Sequence, residues 1–298
     1  LREGLRPVVL LDGSLYFARF PYAIREYVHH PDLLAELFDS ISSLRCLGRD
    51  RGFPVAAVAK DSSVFYLYME LLKQAVGKAG IGRLVGLIQE ASSPLDLKMK
   101  AEMWHAEDRA AIEPYMEKRP LCDAALVRVA TGTEGYTQPL LLAPSIFYRG
   151  DRETSLYKRI EESLEAQRAE RVIDALKRFF GCPGVAATYW KPRPGSHPFR
   201  VDLSASSLGH PEPWGEERGN EFVEEHVDLA QLVGVLNHLG YGFCNDVEYN
   251  IPLSQADTLA RFDRDLYQRK YEPFIIHRLE QAGYDITGSR RMLREVDG

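Results

Sequence analysis

Residues 7–20 read PVVLLDGSLYFARF. Val8, Val9, Leu10 and Leu11 form a continuous apolar run, as a strand buried on both faces requires, and the run stops abruptly at Asp12-Gly13-Ser14. An ionised carboxylate left unpaired in a dry interior is very costly. Asp12 therefore either serves the turn at the sheet edge or stands there for a metal or a substrate. About twenty residues on, HHPDLLAELFDSISSLRCLGRDRG spaces Leu33, Leu34, Leu37, Ile41, Leu44 and Leu47 at helical intervals. Asp32 is its expected cap, and Gly52 lies just past its end. FPVAAVAKDSS then gives a second apolar strand, Val55 to Ala59, which also ends in charge, at Lys60-Asp61. Strand, helix and strand with a crossover of this length predict a βαβ unit with parallel strands. Ligand sites in such sheets gather at the carboxyl ends of the strands, where Asp12, Lys60 and Asp61 converge.

The rest of the chain fits an α/β protein with a helical insertion. Residues 64–118 are helical in pattern, with weak breaks at Gly77, Gly80 and Gly82. CDAALVRVA and TQPLLLAPSIFY read as strand-like runs. SLYKRIEESLEAQRAERVIDALKRFFG reads as one long amphipathic helix closed by Gly181, and GVAATYWKPRPGSHPFRVDLS as two strands across a Pro/Gly turn. The polar loop LGHPEPWGEERGNEF precedes two helical stretches, VDLAQLVGVLNHLG and PLSQADTLARFDRDLYQRKYEPFIIHRLEQAG. No internal repeat occurs.

With 45% apolar and 27% charged residues the composition is that of an ordinary soluble protein, and no apolar run approaches the ~18 residues of a membrane span. Cys46, Cys122, Cys182 and Cys244 form no CxxC, so reduced thiols in a cytoplasm are expected rather than a zinc site. The N-terminus lacks a basic region followed by an apolar one, and no secretory leader is expected. A net charge of −6 argues mildly against nucleic-acid binding, but a nuclease needs an acidic site and a local basic groove can coexist with an acidic exterior. Walker, GxGxxG, GxSxG and HExxH motifs are absent. Near the C-terminus, EYNIPLSQADTLARF places Pro252 at a helix start and Asp257 within its first two turns. Read alone, Asp257 is a solvated helix carboxylate.

Taken together, LDGSL (Leu11–Leu15), VAAVAKDS with Lys60, CDAALV with Asp123, and YNIPLSQAD with Tyr249 and Asp257 resemble, in order and spacing, the anchors of the NurA family of nucleases. The resemblance spans most of the chain, though only these short anchors are specific. It implies an RNase H-like mixed sheet core with flanking helices and a divalent-metal-dependent nuclease, usually using Mn²⁺, with Mg²⁺ the alternative. Members degrade DNA ends and pair with a HerA-type hexameric ATPase; a homodimer without membrane association is implied. Asp12 matches a metal-binding Asp and Tyr249 the signature Tyr near the site. Asp257 stands where the family has a metal-binding His, and a carboxylate oxygen can also take Mn²⁺ or Mg²⁺. The family's earlier strand with its first Asp-Gly-Ser, and the Glu between the two motifs, have no counterpart in this sequence. The chain is thus read as a single NurA-like domain over residues 1–298, short of that strand segment, with the insertion at about 64–118.

On this reading Lys60 steadies the scissile phosphate or the attacking water, or else is a strand-end lysine lying over its apolar surroundings. Asp61 is a further acidic candidate, and Asp123 is equally a helix cap. Single-stranded DNA would meet Arg193, Arg200 and the aromatic pair Tyr189-Trp190, or these are a surface charge and sheet aromatics. Two other classes compete. One is a catalytically impaired nuclease-fold scaffold that docks on the ATPase and on DNA. The other is an actin-like phosphate-binding fold, which expects further Gly-rich phosphate loops that the sequence lacks.

Overall fold

The computed structural model describes residues 7–16, 31–60, 62–91, 93–116, 120–143, 157, 160–214, 220–224, 227–240, 255 and 267–281. The chain divides into two compact units, Leu1–Tyr249 and Asn250–Gly298. In the described part of the second, a π-helical turn, Tyr267–Tyr271, runs before a helix, Glu272–Gln281.

The first unit is built on a mixed sheet, seven-stranded among the described residues. β1 (Val9–Asp12) and β2 (Val55–Ala59) pair in parallel, joined by a crossover that contains α1 (Pro31–Arg51). Gly52 ends α1 with φ at +67°, a backbone state that glycine adopts without steric cost. β2 then pairs antiparallel with β6 (Phe199–Ser204), and β6 with β5 (Val185–Lys191). Two-residue strands complete the sheet: β3 (Gly135–Tyr136) and β4 (Leu140–Leu141) on β5, and β7 (Glu221–Phe222) on β4. Both central strands are buried along their whole length, because each face of the sheet is covered. On one face α1 and α7 (Ala166–Phe180) enclose Val55, Ala57, Val185, Ala187 and Leu140 with Phe38, Ile41, Leu176 and Phe179. Arg171 to Asp32 and Arg178 to Asp39 tie the two helices at the surface, at 2.7 and 2.8 Å. Arg45 of α1 is wholly buried between the rings of Phe179 and Trp214, 4.7 and 5.2 Å away, and burial brings its pKa down to about 10. On the opposite face Asn237 of α8 (Val227–Leu239) accepts the indole N–H of Trp190 at 3.1 Å.

Between β2 and β3 lies a helical layer with a core of its own. Helices α2 (Tyr66–Lys78), α3 (Gly82–Gln89), α4 (Pro94–Ala101) and α5 (Ala106–Ile112) bury Val76, Leu84, Ile88, Leu97 and Ile112 together. Ser93 caps α4 by accepting the Asp96 N–H. Two local expectations are corrected here. CDAALVRVA is not a strand but helix α6 (Asp123–Ala130). Its apolar residues fall on one helical face, with Ala124 and Val127 buried against Leu67 and Tyr189. The long helix before Gly181 is interrupted at Leu164-Glu165, and α7 begins at Ala166. Among the described residues no helix is long and apolar enough to cross a membrane.

Candidate functional site

Register decides where each charged side chain points. Residues paired across neighbouring strands share a face, and successive residues alternate. One row runs Leu11, Ala57, Asp202, Ala187, Leu140; the next runs Asp12, Val58, Val201, Thr188. Asp202 is therefore the one carboxylate in an apolar row on the α1/α7 face, and it has no exposure at all. Asp12 belongs to the opposite face and lies exposed at the end of β1. The Lys60 ammonium, just past β2, stands 3.9 Å from its Oδ2.

Four hydrogen bonds satisfy the buried Asp202. Arg200, two residues before it on the same face of β6, forks onto it with Nε at 2.8 Å from Oδ1 and Nη2 at 2.9 Å from Oδ2. Ser14 Oγ lies 2.6 Å from Oδ2, and the Leu15 N–H donates to the same oxygen at 3.0 Å. Ser14 reaches this face because the chain leaves the strand at Gly13, whose φ of +132° turns the next residues over the sheet end. Gly13 still donates its own N–H to Val58, at 3.0 Å, so the turn begins in register. The second arm of the Arg200 guanidinium donates from Nη1 to Ser62 Oγ at 3.2 Å. Burial pushes the Arg200 pKa down, but the Asp202 carboxylate more than offsets it, and the net shift is upward. One ion pair on β6 thus touches both loops that leave the carboxyl ends of β1 and β2.

A second buried carboxylate has a different set of partners. Asp123 opens α6, yet its oxygens face the start of α2, accepting the Leu67 N–H at 2.9 Å and the Tyr68 N–H at 2.8 Å. The Tyr189 hydroxyl donates to it at 2.7 Å. The amino end of a helix offers free N–H groups and positive dipole, which suits an anion. Burial nevertheless pushes the Asp123 pKa up to about 6 against these hydrogen bonds. At the other end of α6 the buried Lys191 ammonium donates to the Thr131 carbonyl.

The sequence-derived candidates separate accordingly. Asp12 and Lys60 are brought together at the sheet end. Asp123 is a helix-capping carboxylate, in keeping with the cap reading, although the helix it caps is α2 rather than its own. Three nucleic-acid candidates are corrected: Tyr189, Trp190 and Arg200 are 2%, 1% and 5% exposed. A stacking platform needs an open ring face, and both rings are closed off by the layers over the sheet; Arg200 is spent on Asp202. Arg193 is exposed in the turn between β5 and β6. Asp61, Tyr249 and Asp257 lie outside the described residues. Among the described residues no group of three His, Cys, Asp or Glu side chains gathers as a metal centre requires; Asp12 contributes one hard oxygen donor of the type that Mn²⁺ and Mg²⁺ take. Sequence reasoning missed Asp202, Ser14 and Ser62. The available signal was the i, i+2 pair in FRVDLS: opposite charges two apart in an apolar strand share one face. Comparison with family models, with curated proteins and with solved structures finds no match.

Proposed function

We propose that the protein is a divalent-metal-dependent DNA nuclease of NurA type with an RNase H-like core, acting from the cytoplasm as a homodimer with a HerA-type ATPase. The observation that supports this most is the placement of Asp12. Its carboxylate is exposed at the carboxyl end of a parallel strand, next to the Lys60 ammonium, just before a loop that a buried ion pair holds from beneath. A carboxylate kept in water beside a cation suits binding of a metal and a phosphodiester better than it suits a fold, since a half-exposed pair adds little stability. In this reading Asp12 is a ligand of the ion. The chemistry it supplies is polarisation of a phosphoryl oxygen and activation of water. Lys60 binds a non-bridging oxygen and offsets charge that develops on the phosphate. Exposed Arg193 is the remaining candidate contact to the DNA backbone.

The test is cleavage of single-stranded DNA and of duplex ends by wild type and Asp12→Asn, each with Mn²⁺, Mg²⁺ or EDTA, alone and with the ATPase. Cleavage should need the metal and be lost in Asp12→Asn, with the melting temperature unchanged. Equal cleavage by both proteins, or cleavage that persists in EDTA, removes Asp12 from the mechanism. A wild type that binds DNA and the ATPase but never cuts would favour the scaffold reading.

A further inference from the structure

The Arg200–Asp202 pair is expensive to bury and contributes no surface to a substrate. Its partners explain its position. β6 runs antiparallel to β2, so its first half lies beside the carboxyl ends of β1 and β2, with Arg200 opposite Ala59 and Asp202 opposite Ala57. From there the pair reaches the loop after Asp12 through Ser14 and Leu15, and the loop after Lys60 through Ser62. Arg200 Nη2 also donates to Ser14 Oγ, so one planar guanidinium holds Asp202, Ser14 and Ser62 at once. Asp12 and Lys60 sit on the opposite face, two residues before Ser14 and Ser62 respectively.

We propose that Arg200 and Asp202 are positioning residues: a single buried clamp that ties both loops and so fixes the separation of Asp12 and Lys60. The function assigned to that separation rests on the nuclease reading above; the clamp itself does not. Its geometry depends on the guanidinium fork, because a lysine at this position would keep the charge but could not span a bidentate carboxylate and two hydroxyls together. Small misplacement of reacting groups costs rate rather than substrate affinity.

The test uses the full chain with Arg200→Lys, and with Ser14→Ala and Ser62→Ala as milder variants that each remove one arm. Amide hydrogen exchange is followed at Gly13–Tyr16 and at residues 62–65, beside a melting curve. Arg200→Lys should speed exchange about tenfold in both loops while the centres of β5 and β6 keep their protection. Should it fail to fold, Ser14→Ala should loosen the Ser62 loop, and Ser62→Ala the Ser14 loop, through the shared guanidinium. In the nuclease assay Arg200→Lys should lower kcat about ten- to a hundredfold with KM within about twofold. Adding Lys60→Ala to it should cost less than Lys60→Ala costs in wild type, because the clamp acts through Lys60 and Asp12. Loosening of one loop only, of neither, or of the whole sheet in step with a lower melting temperature would overturn the clamp, as would losses of kcat that multiply. If wild type cuts no DNA, the nuclease reading falls and the exchange measurement alone decides the clamp.

Discussion

Asp202, in strand β6, and Asp123, at the start of helix α6, are the same residue type at the same burial, 0% exposed, and they are compensated differently. Asp202 is met by a guanidinium, a hydroxyl and one backbone N–H. Asp123 is met by two backbone N–H groups and a phenol, with no cation among its hydrogen-bond partners. Without a cation beside it, Asp123 is dominated by burial, which lifts its pKa to about 6. A guanidinium fork sets a full opposing charge against Asp202, whereas Asp123 meets only dipoles. The first arrangement suits a fixed clamp beneath a loop. The second joins α2, α6 and β5 through groups that are neutral or only partly charged.

The largest effect should come from breaking the ion pair. Asp202→Ala leaves Arg200 buried without its carboxylate and frees Ser14 and Leu15, at a cost of about 3–5 kcal/mol. A urea denaturation midpoint well below that of wild type would show it. A loss under about 1 kcal/mol would mean that water replaces the carboxylate, and the two regions would then not differ as described.

Next in size is a pH effect at Asp123. Its folded pKa of about 6 lies above the ordinary 3.8, so its contribution to stability is full below pH 4 and is lost as pH rises through 6. The window holds on the order of 3 kcal/mol. Asp123→Asn does not titrate, and its stability relative to wild type should improve from pH 4 to pH 7 by about that amount. Urea midpoints at pH 4, 5, 6 and 7 check this; a parallel pair of curves would place the Asp123 pKa at its ordinary value.

Smallest is Tyr189→Phe, which removes one hydrogen bond to Asp123 and changes little in shape. The loss should be about 1.5 kcal/mol at pH 7, where the acceptor is charged, and less at pH 5. Differential scanning fluorimetry at the two pH values separates these outcomes, and an equal loss at both would detach the phenol from the titration.

Much of the sheet's first half was legible without coordinates. Val55 to Ala59 is an apolar run bounded by Pro54 and Lys60, and α1 shows its helical spacing and terminal glycine in plain sequence, although Leu33, Leu37 and Leu47 of that spacing lie exposed while Phe38 and Arg45 are buried. The crossover between them forces the parallel pair. The exposed pole of the site was legible for the same reason, because Asp12 and Lys60 are the points where two apolar runs meet charge. α6 was misread since eight residues of mixed apolar pattern satisfy a short strand and a two-turn helix alike. The choice for Tyr189 and Trp190 between a stacking pair and sheet aromatics stays open in the sequence, because an aromatic pair beside a lysine looks the same on a surface and in a core; only the layers over β5 distinguish them.

By itself, then, the sequence determined the elements whose signal is local: the strand, helix and strand at the front, the glycine at Gly13, and the charges at the strand ends. Tertiary structure alone decided that Asp202 would meet Leu15 and Ser14, which lie 187 and 188 residues away along the chain, and that Asp123 would cap a helix other than its own. The reason is physical. A period or a cap is written in neighbouring residues, while compensation of a buried charge depends on which donors the packed chain brings within about 3 Å, and register across a sheet sets that list.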